Sequence, residues 1–427
     1  MILAVKFLLV ILSVAITIPL SRWNSRPTLP RCTHDLAMIS IVAVTRFGLF
    51  VVIFLWLGIS PRSDVNVYYS EAMAALHGQI PLVDFHTAYG PLFDEIAAII
   101  VAGWNTPVAL VFVAVLLEVL SFPIWLRVAR MAFTEMQTRR AAALYTLNPL
   151  AITTVVIAGQ NHVGISLLLA LSLLEMLKGR ESWSGMYLGL SIIGIKFLSL
   201  LFAPILFLAA RRRIIWAVSF LIFPIAGYGA VTMLGAHPFD QVVFHAYYGS
   251  SGNLPFLLSA GGLTLTGPHL RLITDVVAFF ALCGIFLAAL KCFGLPDAPH
   301  VVLLCGFVLL VMLILSPKAF ASYLMIALFP ICLVVACQER QRLPEIVFLG
   351  VCGLATLEPS LWFRWMKETG LDPLLGYSLP PYVTRPHVVL FFLCELLLVG
   401  GYVWLLVMTW RAMKGVKIDG PSAARCH

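Results

Sequence analysis

Apolar runs about as long as a membrane-crossing helix recur from one end of this sequence to the other. A helix needs roughly 20 apolar residues to cross the hydrocarbon layer, and in lipid its backbone must satisfy its own hydrogen bonds. Only 11% of the 427 residues are charged, against about 25% in a soluble domain. We therefore expect an all-α, polytopic membrane protein, a single transmembrane domain over residues 1–427 with about eleven to thirteen spans.

One predicted span differs from the others in its charge pattern. The run 184–210 has basic residues at both ends and Lys196 in its middle. If loops with the same charge lie on one side, this run enters the membrane and returns, as a broken or hairpin span with Lys196 near the far turn. The full set of predicted spans is 2–20, 36–60, 107–126, 141–158, 163–177, 184–210, 214–234, 270–290, 301–315, 319–337, 344–358 and 388–410. Run 2–20 is interpreted as a retained helix, because no small-residue cleavage site follows it.

Basic residues are divided unevenly between the two sets of connecting loops. One set holds 19 of the 28 lysines and arginines, the opposite set holds 6, and the remaining three lie within spans. Loops rich in lysine and arginine stay in the cytoplasm. This pattern predicts a cytoplasmic basic tail at 411–427 and an exoplasmic first loop at 61–106 with short surface helices. The basic residues are scattered over short loops, so we expect no nucleic-acid partner.

The predicted topology gathers the chemically active side chains on the exoplasmic face. The outer loops are too short for a soluble catalytic domain, so any reaction must occur in an outward-facing cavity within the helical bundle. The first outer loop supplies candidate acids, and the span ends supply candidate cations and amides. The candidates are Asp64, Asp84, His86, Tyr89, Gln160, Asn161, His162, Lys196, His245 and Lys318.

Two aspartates in the first loop fit the position of a general base. A base must lie within hydrogen-bond reach of the hydroxyl that it deprotonates, and Asp64 follows closely on the span 36–60. Asp64 also fits an N-cap of a helix over 65–76, and Asp84 fits the cap of a local turn. Glu71 is interpreted as a solvated face residue of that helix. His86 and Tyr89 are interpreted as substrate contacts, with a packed aromatic loop as the alternative for Tyr89.

Ionisable and amide groups at the span ends carry two interpretations each. A charged side chain within a span costs free energy unless it faces a cavity or a partner. Lys196 lies within such a span, where its ammonium could bind a phosphate. The alternative is that the side chain snorkels to the membrane interface. The same pair of interpretations applies to Lys318. Residues 160–162 are either a plain polar turn or substrate contacts. Arg46 lies inside the span 36–60 and is a candidate structural partner of Glu118.

An ordered set of short motifs runs through much of the chain. It comprises Asp64 after an early span, Gly78-x-x-Pro81-x-x-Asp84-Phe85, Tyr89-Gly90-Pro91-Leu92, Asn148-Pro149 before Gly159-Gln160-Asn161, Lys196 before Arg211-Arg212-Arg213, and Ser316-Pro317 with Tyr323. In order and sidedness this set resembles the GT-C superfamily of multi-spanning glycosyltransferases. It is most similar to the bacterial polyprenyl-phosphate-dependent mannosyltransferases and more distantly to the first GPI mannosyltransferase.

The resemblance implies an inverting transfer of a sugar, mannose or another hexose or pentose, from a polyprenyl-phosphate donor. The acceptor would be a glycan, lipid or protein at the exoplasmic face of a bacterial plasma membrane. Asp64 matches the catalytic aspartate of the first loop, and Lys196 matches a lysine taken to contact the donor phosphate. Some relatives carry Asp-x-Asp where this chain reads Asp64-Val65-Asn66. No cofactor is therefore expected, and a divalent metal is disfavoured rather than excluded.

Two other classes of function share many of these features. A transporter or flippase of a lipid-linked saccharide would use the same cavity and charges, but it typically carries internal repeats and polar clusters on both sides. Here the polar clusters lie on one predicted side, and no internal repeat stands out. A degenerate superfamily member acting as a binding subunit is the third candidate.

Overall fold

The computed structural model describes residues 2–24, 30–237, 250–260, 268–294, 296–338, 342–369 and 386–415. All the named secondary-structure elements in these ranges are helices. The first eleven α-helices are α1 Ile2–Asn24, α2 Arg31–Phe50, α3 Val65–Leu76, α4 Phe93–Gly103, α5 Pro107–Ala132, α6 Glu135–Thr146, α7 Pro149–Ile152, α8 His162–Leu177, α9 Glu181–Gly194, α10 Ala203–Ala209 and α11 Arg213–Met233. The remaining six are α12 Leu254–Ala260, α13 Pro268–Phe293, α14 Ala298–Leu315, α15 Leu328–Cys337, α16 Arg342–Thr369 and α17 Pro386–Gly415.

Eight helices in the described part of the chain are long and apolar enough to cross a membrane. A ninth candidate span is the pair 135–146 and 149–157, which is bent by 46°. The bend falls where Pro149 begins a new helix and the side chain of Asn148 caps it, accepting from Leu150 N at 3.0 Å. Three shorter apolar helical segments are His162–Leu177, Phe197–Ala209 and Ala321–Cys337. The prediction of an all-α polytopic membrane protein is confirmed.

A buried ion pair joins two of the spans. Arg46 on α2 donates through Nε and Nη2 to both carboxylate oxygens of Glu118 on α5, at 3.1 and 3.0 Å. Both side chains are completely buried, and Arg46 Nη1 also donates to the carbonyl of Thr146 at 2.7 Å. The expected structural pairing of Arg46 with Glu118 is thereby confirmed.

Helices α9 and α11 pack closely because glycines remove side chains from their interface. A Cβ on Gly185 would lie 2.4 Å from the carbonyl oxygen of Trp216, and one on Gly189 would lie 2.3 Å from that of Phe220. The contacts advance in the same direction along both helices, so α9 and α11 run parallel. The intervening segment must then run back: α9 ends at Gly194, Lys196 has extended backbone, and a 3-10 helix over Phe197–Phe202 leads into α10. Lys196 therefore lies at the far end of α9 from Glu181.

Candidate active site

Asp64 lies at the start of α3 with its carboxylate turned away from the helix end. Its side chain makes no capping hydrogen bond, although Asp64 holds the N-cap position. Ser63 is the residue next to the free amides instead: its Oγ accepts from Val65 N at 3.4 Å and donates to the carbonyl of Ala158 at 2.6 Å. The exposed Asp64 carboxylate is consequently available to another partner.

That partner is Gln160, which arrives from the turn between α7 and α8. Gln160 Nε2 donates to Asp64 Oδ2 at 3.1 Å, and Gln160 Oε1 accepts from the hydroxyl of Tyr68 at 3.1 Å. The turn fits here because of Gly159, whose φ is +54° and whose Cβ would lie 2.6 Å from a methyl of Val65. The amide thus fixes the carboxylate, and the tyrosine fixes the amide.

An aromatic group connects this pair to the end of α9. The rings of Tyr68 and Tyr89 meet edge to face, with centroids 5.0 Å apart. Burial raises the pKa of both phenols well above the ordinary value, so both stay neutral hydrogen-bonding groups. The loop segment that carries Tyr89 is bound to the end of α9. Gly90 N and Leu92 N donate to the carbonyls of Ile195 and Ile193 at 3.0 and 2.9 Å.

Lys196 lies directly beyond that attachment. Its Nζ lies 5.6 Å from the centre of the Tyr89 ring and 5.4 Å from that of Tyr323, and it donates to the Tyr323 hydroxyl at 3.1 Å. Within the described chain, its ammonium forms no ion pair with a carboxylate. A half-buried cation held by aromatic rings and one hydroxyl can take up an anionic ligand.

His162 and Asn161 complete the group on the side of Tyr323. The His162 ring meets the Tyr323 ring with centroids 4.8 Å apart, and its Nε2 lies 3.2 Å from Ser322 Oγ. Its Nδ1 lies 3.0 Å from Asn161 Oδ1. Asn161 Nδ2 is buried and has no hydrogen-bond acceptor among the described residues. Both residues therefore lie in the same group of side chains as Tyr323 and Lys196.

We call this assembly the Asp64–Lys196 cluster. It brings together six residues that the sequence singled out: Asp64, Tyr89, Gln160, Asn161, His162 and Lys196. Sequence reasoning missed Tyr68, which looked like one of several aromatic loop residues. Its signal is its place one helical turn after Asp64, on the same face of α3. Tyr323 entered only as part of a motif, and the structure gives it a contact with the cation.

Of the other sequence candidates, two are engaged with other partners, one is exposed, and one falls outside the described residues. Asp84 Oδ2 accepts from Ile80 N at 2.7 Å and caps its own exposed turn. His86 is exposed. Lys318 Nζ lies 2.6 Å from Asp275 Oδ2, so a carboxylate already neutralises this ammonium. His245 falls outside the described residues.

A pair of acids, Glu71 and Asp94, lies near Asp64. The interpretation of Glu71 as a solvated residue was wrong. Glu71 is half-buried, not solvated, and faces the fully buried Asp94 beside Thr87. Burial, followed by the adjacent charge of Asp94, raises the pKa of Glu71 to about 8. Burial also raises the pKa of Asp94 to about 6. The pair therefore retains a proton at neutral pH.

The position of Asp94 was readable from the pattern of α4. Asp94 shares its buried face with Ala97, Ala98 and Val101, the i, i+3, i+4, i+7 spacing of an inward-facing stripe. The predicted surface helix is thus packed on one side. Glu71 has no comparable signal, because its burial depends on α4 packing against α3.

Among the described residues, no group of three or more His, Cys, Asp and Glu side chains is placed to hold a metal ion. The sequence reads Asp64-Val65-Asn66 where some relatives carry Asp-x-Asp, which disfavours a divalent metal. That expectation stays a prediction.

Comparison with known proteins finds a likeness among solved structures. No family model and no curated protein matches the sequence. Among solved structures, the chain is similar to the crystal structure of the Archaeoglobus fulgidus oligosaccharyltransferase in the apo form. The two share 12% sequence identity with a TM-score of 0.39, over 88% of this chain and 56% of that one. The chain therefore matches little more than half the length of that protein.

Proposed function

We propose that this protein is a glycosyltransferase that moves a sugar from a polyprenyl-phosphate donor to an acceptor hydroxyl at the exoplasmic membrane face. One observation carries the proposal: the exposed carboxylate of Asp64 and the ammonium of Lys196, which pairs with no carboxylate of the described chain, are held in one cluster. They arrive from distant parts of the chain and are connected through Gln160, Tyr68 and Tyr89. A base beside an anion-binding cation suits the transfer of a group that leaves as a phosphate.

The reaction assigns one task to each end of the cluster. Asp64 takes the proton of the acceptor hydroxyl as that oxygen attacks the anomeric carbon of the donor sugar. The bond between the anomeric carbon and the phosphate oxygen breaks, and polyprenyl phosphate leaves with the electron pair. Lys196 stabilises the negative charge that grows on the leaving phosphate. Attack opposite the leaving group inverts the anomeric configuration.

The remaining polar groups of the cluster suit the sugar. Asn161 Nδ2 is a buried donor with no acceptor among the described residues, and sugar hydroxyls offer acceptors. His162 presents a ring nitrogen towards Ser322 Oγ in the same place. A site built from buried amides discriminates strongly between sugars, because a ligand lacking the matching hydroxyl leaves them unpaired.

The membrane setting supports a lipid-linked donor. Asp64 begins α3 and Lys196 follows the end of the apolar helix α9, so a carrier dissolved in the bilayer would reach the cluster at the helix ends. The distribution of basic residues favours an exoplasmic position for Asp64 and a cytoplasmic C-terminus, in a bacterial plasma membrane. The acceptor class, whether glycan, lipid or protein, belongs to the same proposal.

The experiment that tests this function separates transfer from transport. The purified full-length chain in detergent is incubated with radiolabelled mannosyl, hexosyl and pentosyl polyprenyl phosphates and a membrane extract of the source cells, heat-treated to remove other enzymes. A glycosyltransferase releases polyprenyl phosphate and labels an acceptor in micelles that have no inside or outside. A flippase forms no product in micelles but moves labelled lipid across sealed vesicles. That second result would replace the proposed function with the transporter alternative.

A further inference from the structure

An arginine-lined pocket lies at the other end of α9 from Lys196. It is formed by residues 208–215, where α10 ends and α11 begins, together with Pro296 between α13 and α14. The cavity holds about 610 Å³. Helix α9 has 14 residues, which at 1.5 Å per residue separates the two sites by about 20 Å. The pocket is therefore distinct from the Asp64–Lys196 cluster.

Two of the three arginines of this pocket are held through their backbone amides, and all three side chains stay exposed. The amides of Arg211 and Arg212 donate to the two carboxylate oxygens of Glu181 at 2.6 and 2.8 Å. Glu181 is buried, and its carboxylate accepts the hydrogen bonds of these two amides. Among the described residues, none of the guanidinium groups of residues 211–213 forms an ion pair; Arg213 Nη2 only approaches the carbonyl of Leu208, at 3.5 Å. The nearby Asp297 is engaged with His300.

Several other basic side chains at the same end of the bundle are neutralised, whereas the exposed Arg127 forms no ion pair among the described residues but does not line this pocket. Arg139 and Arg31 pair with Glu135, and Lys178 and Arg180 pair with Glu175. Loop arginines that only fix topology need neither a cavity nor free guanidinium groups. The unpaired cluster around a cavity therefore calls for an anion.

The surroundings of the pocket point to an anion that carries a hydrocarbon tail. Ile214 is 80% exposed, Ile215 45% and Phe207 37%, so apolar side chains lie on both sides of the arginines. A guanidinium group binds phosphate through two parallel hydrogen bonds. The first turn of α11 adds free backbone amides at the same place. A basic pocket beside apolar side chains at a helix end is the arrangement that retains a lipid headgroup.

We propose that this pocket binds the phosphate headgroup of an anionic phospholipid, with the acyl chains against Ile214 and Phe207. The bound lipid would hold together the ends of α9, α10 and α11, and with them the return segment that positions Lys196. The proposal stands independently of the reaction assigned to Asp64.

Lipid binding to the purified full-length chain in detergent tests this proposal. Native mass spectrometry counts retained lipid after titration with dioleoyl phosphatidylglycerol, with dioleoyl phosphatidylcholine as the zwitterionic comparison and inorganic phosphate as competitor. We expect one tightly retained phosphatidylglycerol, about tenfold weaker retention of phosphatidylcholine, and little competition by millimolar phosphate. Full displacement by inorganic phosphate would show a free-phosphate site and overturn the lipid assignment.

Substitutions locate the binding. The triple variant Arg211→Gln, Arg212→Gln, Arg213→Gln should lose at least about tenfold in affinity. The triple lysine variant keeps the positive charge that orients the chain, and it should lose several-fold because an ammonium makes no paired contact. Arg127→Gln, an exposed arginine outside the pocket, serves as the control and should bind as the parent does. Unchanged retention in the glutamine variant would contradict the proposal. If the glutamine variant fails to fold, retention by the lysine variant equal to that of the parent is sufficient to contradict it.

Discussion

The side-chain amide of Gln160 donates to the carboxylate of Asp64 across 3.1 Å, although 96 residues separate them in the chain. The contact orients the proposed base, and the Tyr68 hydroxyl in turn orients the amide. A base positioned by a neutral amide retains its charge and its direction. The first prediction concerns this contact.

Replacing Gln160 by glutamate should shift the pH dependence of transfer. The variant places a second negative charge against Asp64, which raises the pKa of the base. We expect the acidic limb of the kcat/KM profile to move upward by about one pH unit or more. Tyr68→Phe removes the hydroxyl that orients the amide but adds no charge, so it should lower the rate and leave that limb where it was. An unshifted limb in Gln160→Glu would remove Asp64 from the role of base.

Lys196→Ala should weaken the use of the donor more than it alters the acceptor. Loss of a charge-assisted contact to phosphate is expected to raise the donor KM about tenfold or more. Initial rates measured over a range of donor concentrations give this value. Lys318→Ala is the matched control, because its ammonium already pairs with Asp275 at 2.6 Å. Equal effects of the two substitutions would argue against Lys196 as the phosphate ligand.

The Glu71–Asp94 pair should make the protein less stable as the pH rises. The pKa of Glu71 is raised from its ordinary 4.5 to about 8 in the folded chain. Between these values the folded state binds more protons than the unfolded state, so the free energy of unfolding falls with increasing pH. Thermal unfolding in detergent from pH 5 to pH 8 should show a falling Tm.

Glu71→Gln tests the cause of that slope. The variant cannot ionise at this position, so its Tm should change less with pH and should exceed that of the parent protein at pH 8. Glu95→Gln is the control, since Glu95 is an exposed neighbour of Asp94. A parent and a Glu71→Gln protein with parallel Tm profiles would contradict the assignment.

Removing one partner of the Arg46–Glu118 pair should lower the free energy of unfolding far more than replacing both partners. Glu118→Gln leaves the buried guanidinium without its counter-charge, which is expected to cost about 3–5 kcal/mol. Replacement of both residues by leucine should cost much less, because no uncompensated charge stays behind. Arg31→Gln, which removes a 70% exposed side chain paired with Glu135, should change the Tm little. Thermal unfolding of the four proteins in one detergent gives the comparison.

The sequence predicted those parts of the protein that depend on one segment at a time. Apolar length identifies the spans, and a charge within a span identifies Arg46 and Lys196 as residues that need partners. Asp64 and Gln160 could be singled out because each lies directly beside a span end. Their mutual hydrogen bond could not, since it depends on how the α7–α8 turn packs against α3.

Features that depend on packing between helices were missed or misassigned. Glu71 looked solvated on α3 alone, and it is the approach of α4 that brings Asp94 against it. Phosphate binding and snorkelling were open for both Lys196 and Lys318, yet among the described residues an aspartate lies opposite Lys318 and not opposite Lys196. Asp84 and Asp64 were both candidate bases, and the capping bond from Ile80 to Asp84 separates them. Each distinction rests on a contact between residues that no local pattern connects.

The central claim is that Asp64 is the base of a sugar transfer. The most direct test is transfer of radiolabelled sugar from a polyprenyl-phosphate donor by the Asp64→Asn protein, with its Tm and donor binding measured alongside. The account predicts a loss of about 10²–10⁴-fold in turnover with Tm and donor affinity unchanged, and near-normal turnover by Asp84→Asn. Full activity in Asp64→Asn, or loss of activity in Asp84→Asn alone, would contradict it.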